Sequence, residues 1–337
     1  MLHIGLDVHW KTTTVCILNA NGKKVKTKKI NGHWDKVMAF LKAEVAEPCQ
    51  VVFEASCGYG VLYDQLMALR QVQRVYMAHP GQLRLIFRSK RKNDRVDAEK
   101  LAKLLYLDEV PTAYVPTLKM RQWRELIEAR QHVVAKVVRT KNELRALLRM
   151  QGLVAPKGLW SRQGLAWLAA VEMPELRDLR RQILVAELAV QRDHLKKLTE
   201  VLDRIAGRSP GVALLRTIPG IGPRTAEAMA AYVGDPRRFG RVRAIGAYLG
   251  LIPSQDASAA TNRLGRITRE GPSTVRKLLV EASWQVIRWD PEIRKRFERL
   301  CHDRKDRRKK ALVAVARHLA CCMLSMLQTG EVWRGAA

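Results

Sequence analysis

The sequence predicts a mixed α/β domain at the N-terminus, followed by a predominantly helical remainder. Three observations predict this fold class: apolar and polar residues alternate over 2–30, helical segments separate apolar runs over 33–78, and apolar residues recur with helical spacing from residue 118 onward. With 337 residues, the chain is long enough for two or three domains, each with its own core.

The first domain, placed at residues 1–115, begins with three short strands. The segment "LHIGLDVH" alternates, and "TTTVCILN" and "KKVKTKKI" follow at hairpin distances, with "NANGK" as a turn. A helix over 33–45 precedes the apolar run "CQVVFEA", which is typical of a buried strand. The helix "VLYDQLMALRQ" then leads to the strand "RVYMA". A three-stranded meander followed by β-α-β units predicts a mixed sheet covered by helices.

The middle of the chain, residues 116–206, is helical and rich in charge. Its second half carries a series of apolar residues at alternating steps of three and four, Leu176, Leu179, Ile183, Ala186 and Val190. This spacing predicts two long helices joined by the loop "QGLVAPKGLWSRQG". The helices form either an antiparallel spacer within the chain or a coiled-coil arm that packs on another subunit.

The last region, residues 207–337, is predicted to be almost all helix. Its segment "IPGIGPRTAEAMAA" fits a helix-hairpin-helix, in which Gly220 and Gly222 allow a tight turn and the next helix offers free N–H groups to a phosphate. Arg224 adds positive charge beside that turn. The alternative is an ordinary glycine turn between two helices.

The charge balance points to a polyanionic partner. The chain has 61 Lys and Arg against 32 Asp and Glu, a formal charge of +29. No apolar run reaches the roughly 18 residues of a membrane-spanning helix, no signal peptide is evident, and the cysteines lack paired zinc spacing. We therefore expect a reduced, cytoplasmic protein that binds nucleic acid and no membrane. The basic residues proposed to contact nucleic acid, besides the turn, are Arg88, Lys90, Arg91, Lys92, Arg304, Arg307 and Arg308.

Four acidic residues form the candidate site. Asp7 lies on the first strand and Glu54 at the end of a buried strand, while Asp94 and Asp97 lie one helical turn apart. Singly, each acid fits a strand end or a helix cap. Together, carboxylates that converge on one spot repel one another unless metal ions neutralise them, and oxygen-rich sites of this type suit Mg²⁺ or Mn²⁺.

The same segments carry a resemblance to a known family. "GLDVH", "FEASCGYG" and "KNDRVDAEKLA", and then "LLRTIPGIGPRTAEAMAAYVGDPRRF", "AIGAYLGLIPS" and "GRITREGPSTVRKLLVEASW", are similar to the two conserved domains of transposases of the insertion-sequence family numbered 110. The resemblance implies a ribonuclease-H-like, resolvase-like first domain, a coiled coil and a helical transposase domain. It also implies that Asp7, Glu54, Asp94 and Asp97 bind the metal and act in catalysis.

The resemblance implies a mechanism and partners as well. The family uses a serine in the loop after the Gly-Leu-x-Pro segment, and Ser258 occupies that position, although Ala259 replaces the glycine that commonly follows. Ser258 is thus expected to attack a DNA phosphate and to form a covalent phosphoserine. A structured bridge RNA is expected to select the donor and target double-stranded DNA, and the protein is expected to act as a dimer or tetramer at the bacterial nucleoid.

Three other functions compete with this hypothesis. A Holliday-junction-resolvase-like nuclease would use the same acids with water as the nucleophile. A sugar-kinase-like or actin-like ATPase is disfavoured, because "LDVHWKTTT" lacks the glycine-rich phosphate turn and a charge of +29 suits a small nucleotide poorly. A protein that only binds nucleic acid would use the helix-hairpin-helix, with the acids serving as helix caps.

Overall fold

The structure is a computed structural model that describes residues 1–56, 58–86, 94–258 and 261–335, with the backbone alone described at 256–258 and 261–262. Contacts between Cα atoms divide the chain into two compact units, Met1–Leu118 and Lys119–Ala337.

The first unit is built on a five-stranded sheet, as the sequence predicts. Its strands are β1 (Leu2–Val8), β2 (Thr12–Leu18), β3 (Lys24–Asn31), β4 (Cys49–Glu54) and β5 (Val72–Ala78). Their order is β3-β2-β1-β4-β5; β2 runs antiparallel to both β1 and β3, and β4 and β5 run parallel to β1. The predicted mixed sheet is therefore confirmed.

Helices cover both faces of this sheet. They are α1 (Trp34–Glu44), α2 (Tyr59–Met67), α3 (Pro80–Ile86) and α4 (Asp94–Tyr106). Ile4 and Leu6 of β1 belong to the core shared with α1 and α2. The opposite face of β1 packs on α4, because a Cβ atom at Gly5 would clash with the carbonyl oxygen of Ala98 and lie 2.5 Å from the amide nitrogen of Ala102.

The second unit begins with two long helices, α5 (Leu118–Met150) and α7 (Glu175–Gly207). The sequence predicts both, but the connecting loop also leads into a short helix, α6 (Arg162–Ala170). Hydrogen bonds from Arg130 to Thr199 and from Gln191 to Thr140 show that α5 and α7 run antiparallel. Their shared core contains the buried residues Val137, Leu144, Leu148, Leu159, Leu168, Leu184 and Leu188.

The remainder of this unit is mostly helical. Its helices are α8 (Pro210–Leu215), α9 (Pro223–Val233), α10 (Ala244–Tyr248), α11 (Ser273–Trp289), α12 (Pro291–Cys301) and α13 (Arg308–Thr329). The expectation of almost all helix is corrected by a β-hairpin of β6 (Pro253–Ser258) and β7 (Thr261–Ile267). The hairpin segment is polar and alanine-rich, so it lacks the apolar alternation that predicts strands.

Helix α13 forms the centre of this second core. Val315, Leu319 and Met323 of α13 are completely buried. Within the described residues, the segment Lys305–Thr329 is the one candidate membrane span by length and composition, and half of its most apolar stretch is buried inside the protein. A buried central helix passes the same test, so this segment is weak evidence for a membrane.

Candidate functional site

Two of the predicted acids lie side by side on the sheet. Leu6 of β1 pairs with Phe53 of the parallel strand β4, so Asp7 and Glu54 follow at the same level. Val52 precedes Glu54 by two residues and is buried against α4, in a cluster with Leu101. Because side chains two residues apart share a face of a strand, Glu54 and Asp7 both face the side covered by α4.

The other two acids enter this site at the start of α4. Asp94 is the first residue of α4, and Asp97 lies in its first turn. Helix α4 crosses β1 at Gly5, two residues before Asp7, which brings its first turn to the Asp7 carboxylate. The carboxylate of Asp94 lies close enough to Asp7 and His9 that one ligand atom from each falls within 4.8 Å of the others.

The electrostatics of Asp7 reflect this convergence. Burial raises the pKa of the Asp7 carboxyl, and the neighbouring Asp94, Asp97 and Glu54 raise it further, while His9 opposes them. Its side chain is 17% exposed, and its Oδ2 lies 3.5 Å from Nε2 of His9. The four acids that the sequence predicts are therefore near enough to interact, and they repel one another.

A lysine partly offsets this negative charge. Lys29 of β3 pairs with Thr14, which pairs in turn with Asp7, so the three residues form a row across the sheet. The Lys29 ammonium lies 3.2 Å from Oδ2 of Asp94, and its hydrogen bond lowers the pKa of that carboxyl. Asp97 has a separate cation, Lys100, at 3.4 Å.

The donor set suits a divalent metal ion. Carboxylate oxygens are the ligands that Mg²⁺ and Mn²⁺ prefer, and the mutual repulsion of these acids is relieved by a cation. Sequence reasoning did not identify His9 and Lys29 as site residues. His9 follows Asp7 by two residues, which is a usable signal, whereas Lys29 reaches Asp94 only because the strand order brings β3 beside β2.

The basic residues near this site lie in two segments, the one before α4 and strand β3. Arg88, Lys90, Arg91 and Lys92 lie outside the described residues. In β3, Lys24 pairs with Glu99 at 2.8 Å and Lys26 pairs with Glu44 at 2.7 Å. Half-exposed acids of the same unit therefore neutralise part of the charge of this strand.

The helix-hairpin-helix turn connects α8 and α9 of the second unit. Gly220 has a φ of 86°, and a Cβ atom there would lie 2.8 Å from the backbone nitrogen of Val286 in α11. This glycine is thus required by packing against α11. Gly222 is the N-cap of α9, and a Cβ atom added there would meet only open space, so the first turn of α9 is accessible from that side.

Arg224 of α9 makes ion pairs inside its own unit. Its side chain is 16% exposed and contacts the carboxylates of Asp203 and Glu227, the latter at 2.9 Å. Glu227 is buried, accepts a hydrogen bond of 2.9 Å from Nε1 of Trp123, and has its pKa raised by burial. These contacts give Arg224 a structural role, and its predicted contact with nucleic acid stays a prediction.

Replacing Glu227 by Ala should destabilise the protein by about 3 kcal/mol, because the indole of Trp123 and the guanidinium of Arg224 lose a buried partner. Urea unfolding measures this loss. Glu281→Ala is a matched control, since Glu281 is 62% exposed and should change the free energy of unfolding by less than about 0.5 kcal/mol. Equal effects of the two substitutions would show that the buried pairing contributes nothing.

Ser258 ends β6, and its backbone is paired with that of Thr261. The base of this hairpin is firmly held. Arg276 of α11 donates hydrogen bonds to the carbonyl oxygens of Leu249, Arg269 and Glu270, which flank the two strands. The predicted loop position of Ser258 is thus corrected to a strand end, and its catalytic role stays a prediction.

The basic residues of the tail lie before and at the start of α13. Arg304 pairs with Asp306 at 3.0 Å. Arg307 belongs to the short 3₁₀ turn Lys305–Arg307, and the guanidinium of Arg308 lies 5.8 Å from the ring centre of Trp284. The predicted contacts of these arginines with nucleic acid remain predictions.

The sheet, its acids and the helical remainder define a class of protein. They are the features of a DEDD-type transposase domain, consistent with a ribonuclease-H-like fold, joined to a helical domain. The DEDD transposase model of the IS110 group matches residues 4–151, and the model described as "Transposase IS116/IS110/IS902 family" matches residues 212–298. The chain belongs to the IS110/IS116 family of insertion-sequence transposases.

Relatives support this assignment along the whole chain. The putative transposase y4pF/y4sB of Sinorhizobium fredii is 26% identical over 345 residues, covering 100% of this chain and 86% of the relative. The transposase for insertion sequence element IS1111A of Coxiella burnetii is 25% identical over 290 residues, covering 85% of this chain and 78% of the relative. The putative transposase y4qE of Sinorhizobium fredii is 30% identical over 208 residues, covering 61% of this chain and 50% of the relative.

Proposed function

We propose that this transposase cuts and rejoins DNA strands at a metal site formed by Asp7, Glu54, Asp94 and Asp97. The observation that carries the proposal is the convergence on Asp7: ligand atoms of Asp7, His9 and Asp94 lie within 4.8 Å of one another, and burial together with the neighbouring acids raises the pKa of the Asp7 carboxyl. Such an arrangement costs folding free energy. A divalent cation would relieve the repulsion between the acids and could bind the phosphate of a DNA strand. The family makes DNA the substrate.

The bound metal would polarise the scissile phosphate and stabilise the charge that develops on it. The chain's own residues prepare the site for this. Packing of α4 at Gly5 fixes Asp94 and Asp97 beside Asp7, and the pairing of Lys29 with Asp94 keeps that carboxyl ionised. The ammonium group of Lys29 could also leave Asp94 and bind a phosphate of the DNA.

The proposed nucleophile is the Ser258 hydroxyl. Its oxygen forms a bond to phosphorus while one bond from phosphorus to a deoxyribose oxygen breaks; the serine proton goes to solvent, and the released oxygen takes up a proton. The resulting phosphoserine ester conserves the bond energy for rejoining. The hairpin whose base Arg276 holds is a suitable support for such a group, because reacting atoms require accurate placement.

Guidance by a bridge RNA is the proposed source of target choice. The net charge of +29 is suited to holding nucleic-acid backbones without reading their sequence. Base pairing between RNA and DNA would then supply the specificity, as in other RNA-guided systems. Because the substrate is the DNA of the cell, a cytoplasmic location follows from this function.

The experiment combines the full-length protein with donor and target duplexes, Mg²⁺, and RNA transcribed from the non-coding DNA beside the reading frame. Recombinant joints that appear only with all components support the proposal. Nicked or resolved DNA that never rejoins would favour the alternative, a resolvase-like nuclease that uses water. EDTA should stop both reactions, so metal dependence cannot distinguish them. The product does: rejoined DNA indicates a recombinase, and cut DNA alone indicates a nuclease.

The oligomer that recombination needs is proposed to form along α7. The apolar series predicted from the sequence faces outward: Leu176 is 83% exposed, Leu179 56%, Ile183 52% and Val190 55%. Ile183 and Val190 border a groove of about 840 Å³ between α5 and α7. An apolar stripe with heptad-like spacing along an existing helix pair can pack against the same stripe of a second copy.

Replacing Ile183 by Glu should therefore weaken self-association by roughly 100-fold, because association of two copies would bury the unpaired carboxylate of each introduced Glu side chain. Light scattering over a concentration series gives the molar mass. Ala189→Glu introduces the same charge on another exposed face of α7 and should leave the mass unchanged. If the wild-type protein is monomeric at high concentration, or if both variants dissociate alike, the α7 interface is wrong.

A further inference from the structure

A cavity of about 690 Å³ lies in the second unit, between α11, α12 and the segment that leads into α13. Its volume falls within the range of roughly 300–1,000 Å³ that is usual for small-molecule sites. The acids of the first unit and the β6–β7 hairpin contribute none of its described lining residues. The transposase reaction proposed above therefore leaves this cavity without a role.

The cavity has an aromatic wall. Trp284 of α11 is 42% exposed, although it lies in a helix that contributes to the core. Its ring packs edge to face on Phe297 of α12, with ring centres 5.7 Å apart. Trp284 is thus held on one side by a buried phenyl ring while an indole surface remains open to the cavity, as a stacking platform requires.

The rest of the wall is mainly cationic. Five basic side chains and two acidic ones, Glu298 and Asp303, line the cavity. Within the described part of the chain, Arg288, Lys305 and Arg308 form no ion pair with an acid. The guanidinium of Arg308 lies 5.8 Å from the ring centre of Trp284, so cation and aromatic face act on the same space.

We propose that this cavity binds one unpaired nucleotide of a nucleic-acid strand, with the base stacked on Trp284 and the phosphate held by Arg288, Lys305 and Arg308. Aromatic faces accept any base, and neighbouring cations bind the backbone. The two acids disfavour a ligand that carries several phosphates, such as a nucleoside triphosphate. A paired base cannot enter, because its neighbours in the stack occupy the space that Trp284 needs.

This inference rests on the proposed nucleic-acid function and adds a site for a single-stranded nucleotide. The test measures fluorescence anisotropy of a labelled mixed-sequence octanucleotide, as RNA and as DNA, with the full-length protein in EDTA. A blunt-ended duplex of the same length, which has no unpaired nucleotide, is measured in parallel. Comparison of the RNA and DNA strands shows which nucleic acid supplies the nucleotide.

Trp284→Ala should weaken single-strand binding by about 5- to 100-fold, the usual effect of losing one stacked base, and should spare duplex binding. Trp289→Ala is the matched control, since Trp289 lies on the same helix, is 64% exposed and does not line the cavity. Trp284→Phe keeps an aromatic face and should restore most of the affinity, which excludes misfolding as the cause.

Equal losses for Trp284→Ala and Trp289→Ala, or an equal loss of duplex binding, would overturn the inference. Arg308→Gln provides a second test. Losing one phosphate contact should lower the slope of log K against log salt concentration by about one unit. A protein that recombines DNA but fails this test refutes only the nucleotide site. A protein that binds the single strand in this way but never rejoins DNA refutes only the proposed reaction.

Discussion

Asp7→Asn is expected to lower strand cutting by at least about 10²- to 10³-fold, the scale on which one electrostatic contact contributes in an active site. Asp7 is central to the site: its carboxyl is perturbed by Glu54, Asp94 and Asp97 and lies 3.5 Å from His9. An amide at this position keeps the shape but removes the charge that a divalent cation requires. Cutting is measured as the initial rate on labelled DNA at saturating Mg²⁺.

The same substitution should leave the protein as stable as the wild type, or more stable. In the folded protein, burial and three neighbouring acids raise the pKa of Asp7. A raised pKa means that Asp7 favours the folded state below its unfolded pKa and that this contribution is lost as the pH rises through the folded pKa. At neutral pH the ionised Asp7 is therefore a cost, which Asn removes.

In the presence of Mg²⁺, the wild type should become more stable than Asp7→Asn. A cation that binds only the folded site raises the melting temperature of the wild type, and the gain grows with the logarithm of its concentration. Asp7→Asn should show little gain. Glu47→Gln, an exposed change at the opposite end of β4 from Glu54, should behave as the wild type. Identical Mg²⁺ responses in all three proteins would remove the metal site from the mechanism.

The places of Glu54, Asp94 and Asp97 in the fold could be predicted because each lies where the pattern of the sequence changes, whereas their joint metal-binding role is implied by the family resemblance. Glu54 ends an apolar strand, and Asp94 and Asp97 begin a helix. Local periodicity is sufficient for such positions. Lys29 could not be assigned to the site in this way, because its contact with Asp94 depends on the strand order β3-β2-β1.

The helical unit shows a different limit. Heptad-like spacing correctly indicates that Leu179, Ile183 and Val190 share one face of a helix, but spacing cannot say what covers that face. Within the chain, α7 packs through Leu184 and Leu188 and leaves the predicted series exposed. Spacing alone therefore does not distinguish the face that is buried against α5 from the face that we propose contacts a second copy.

Arg224 illustrates the same limit for charge. Next to a glycine turn in a basic chain, an arginine is reasonably expected to face a phosphate. Its partner Glu227 is one helical turn away, but Asp203 lies on another helix, and the burial of Glu227 depends on Trp123 of α5. A long-range packing arrangement therefore decides whether this cation is free.

Ser258→Ala is expected to abolish the covalent adduct between protein and DNA and to lower strand transfer by about 10⁴- to 10⁶-fold, as removal of a nucleophile does in other enzymes. Alanine has a methyl group where serine has its hydroxyl, so the side chain at this position has no oxygen to bond to phosphorus. The adduct is measured as labelled DNA that remains with the protein after denaturation. DNA binding and the response to Mg²⁺ should be unchanged, since Ser258 and the acids lie on different units.

Ser254→Ala provides the matched control. Ser254 lies on the same strand, four residues earlier and close to the base that Arg276 holds. If the adduct survives in Ser254→Ala and is lost in Ser258→Ala, the end of β6 carries the nucleophile. Loss in Ser254→Ala alone would transfer the role to that serine. An undiminished cutting rate without any adduct in both variants would instead require water as the nucleophile, which is the resolvase-like reaction, because the acids alone are then sufficient to cut the strand.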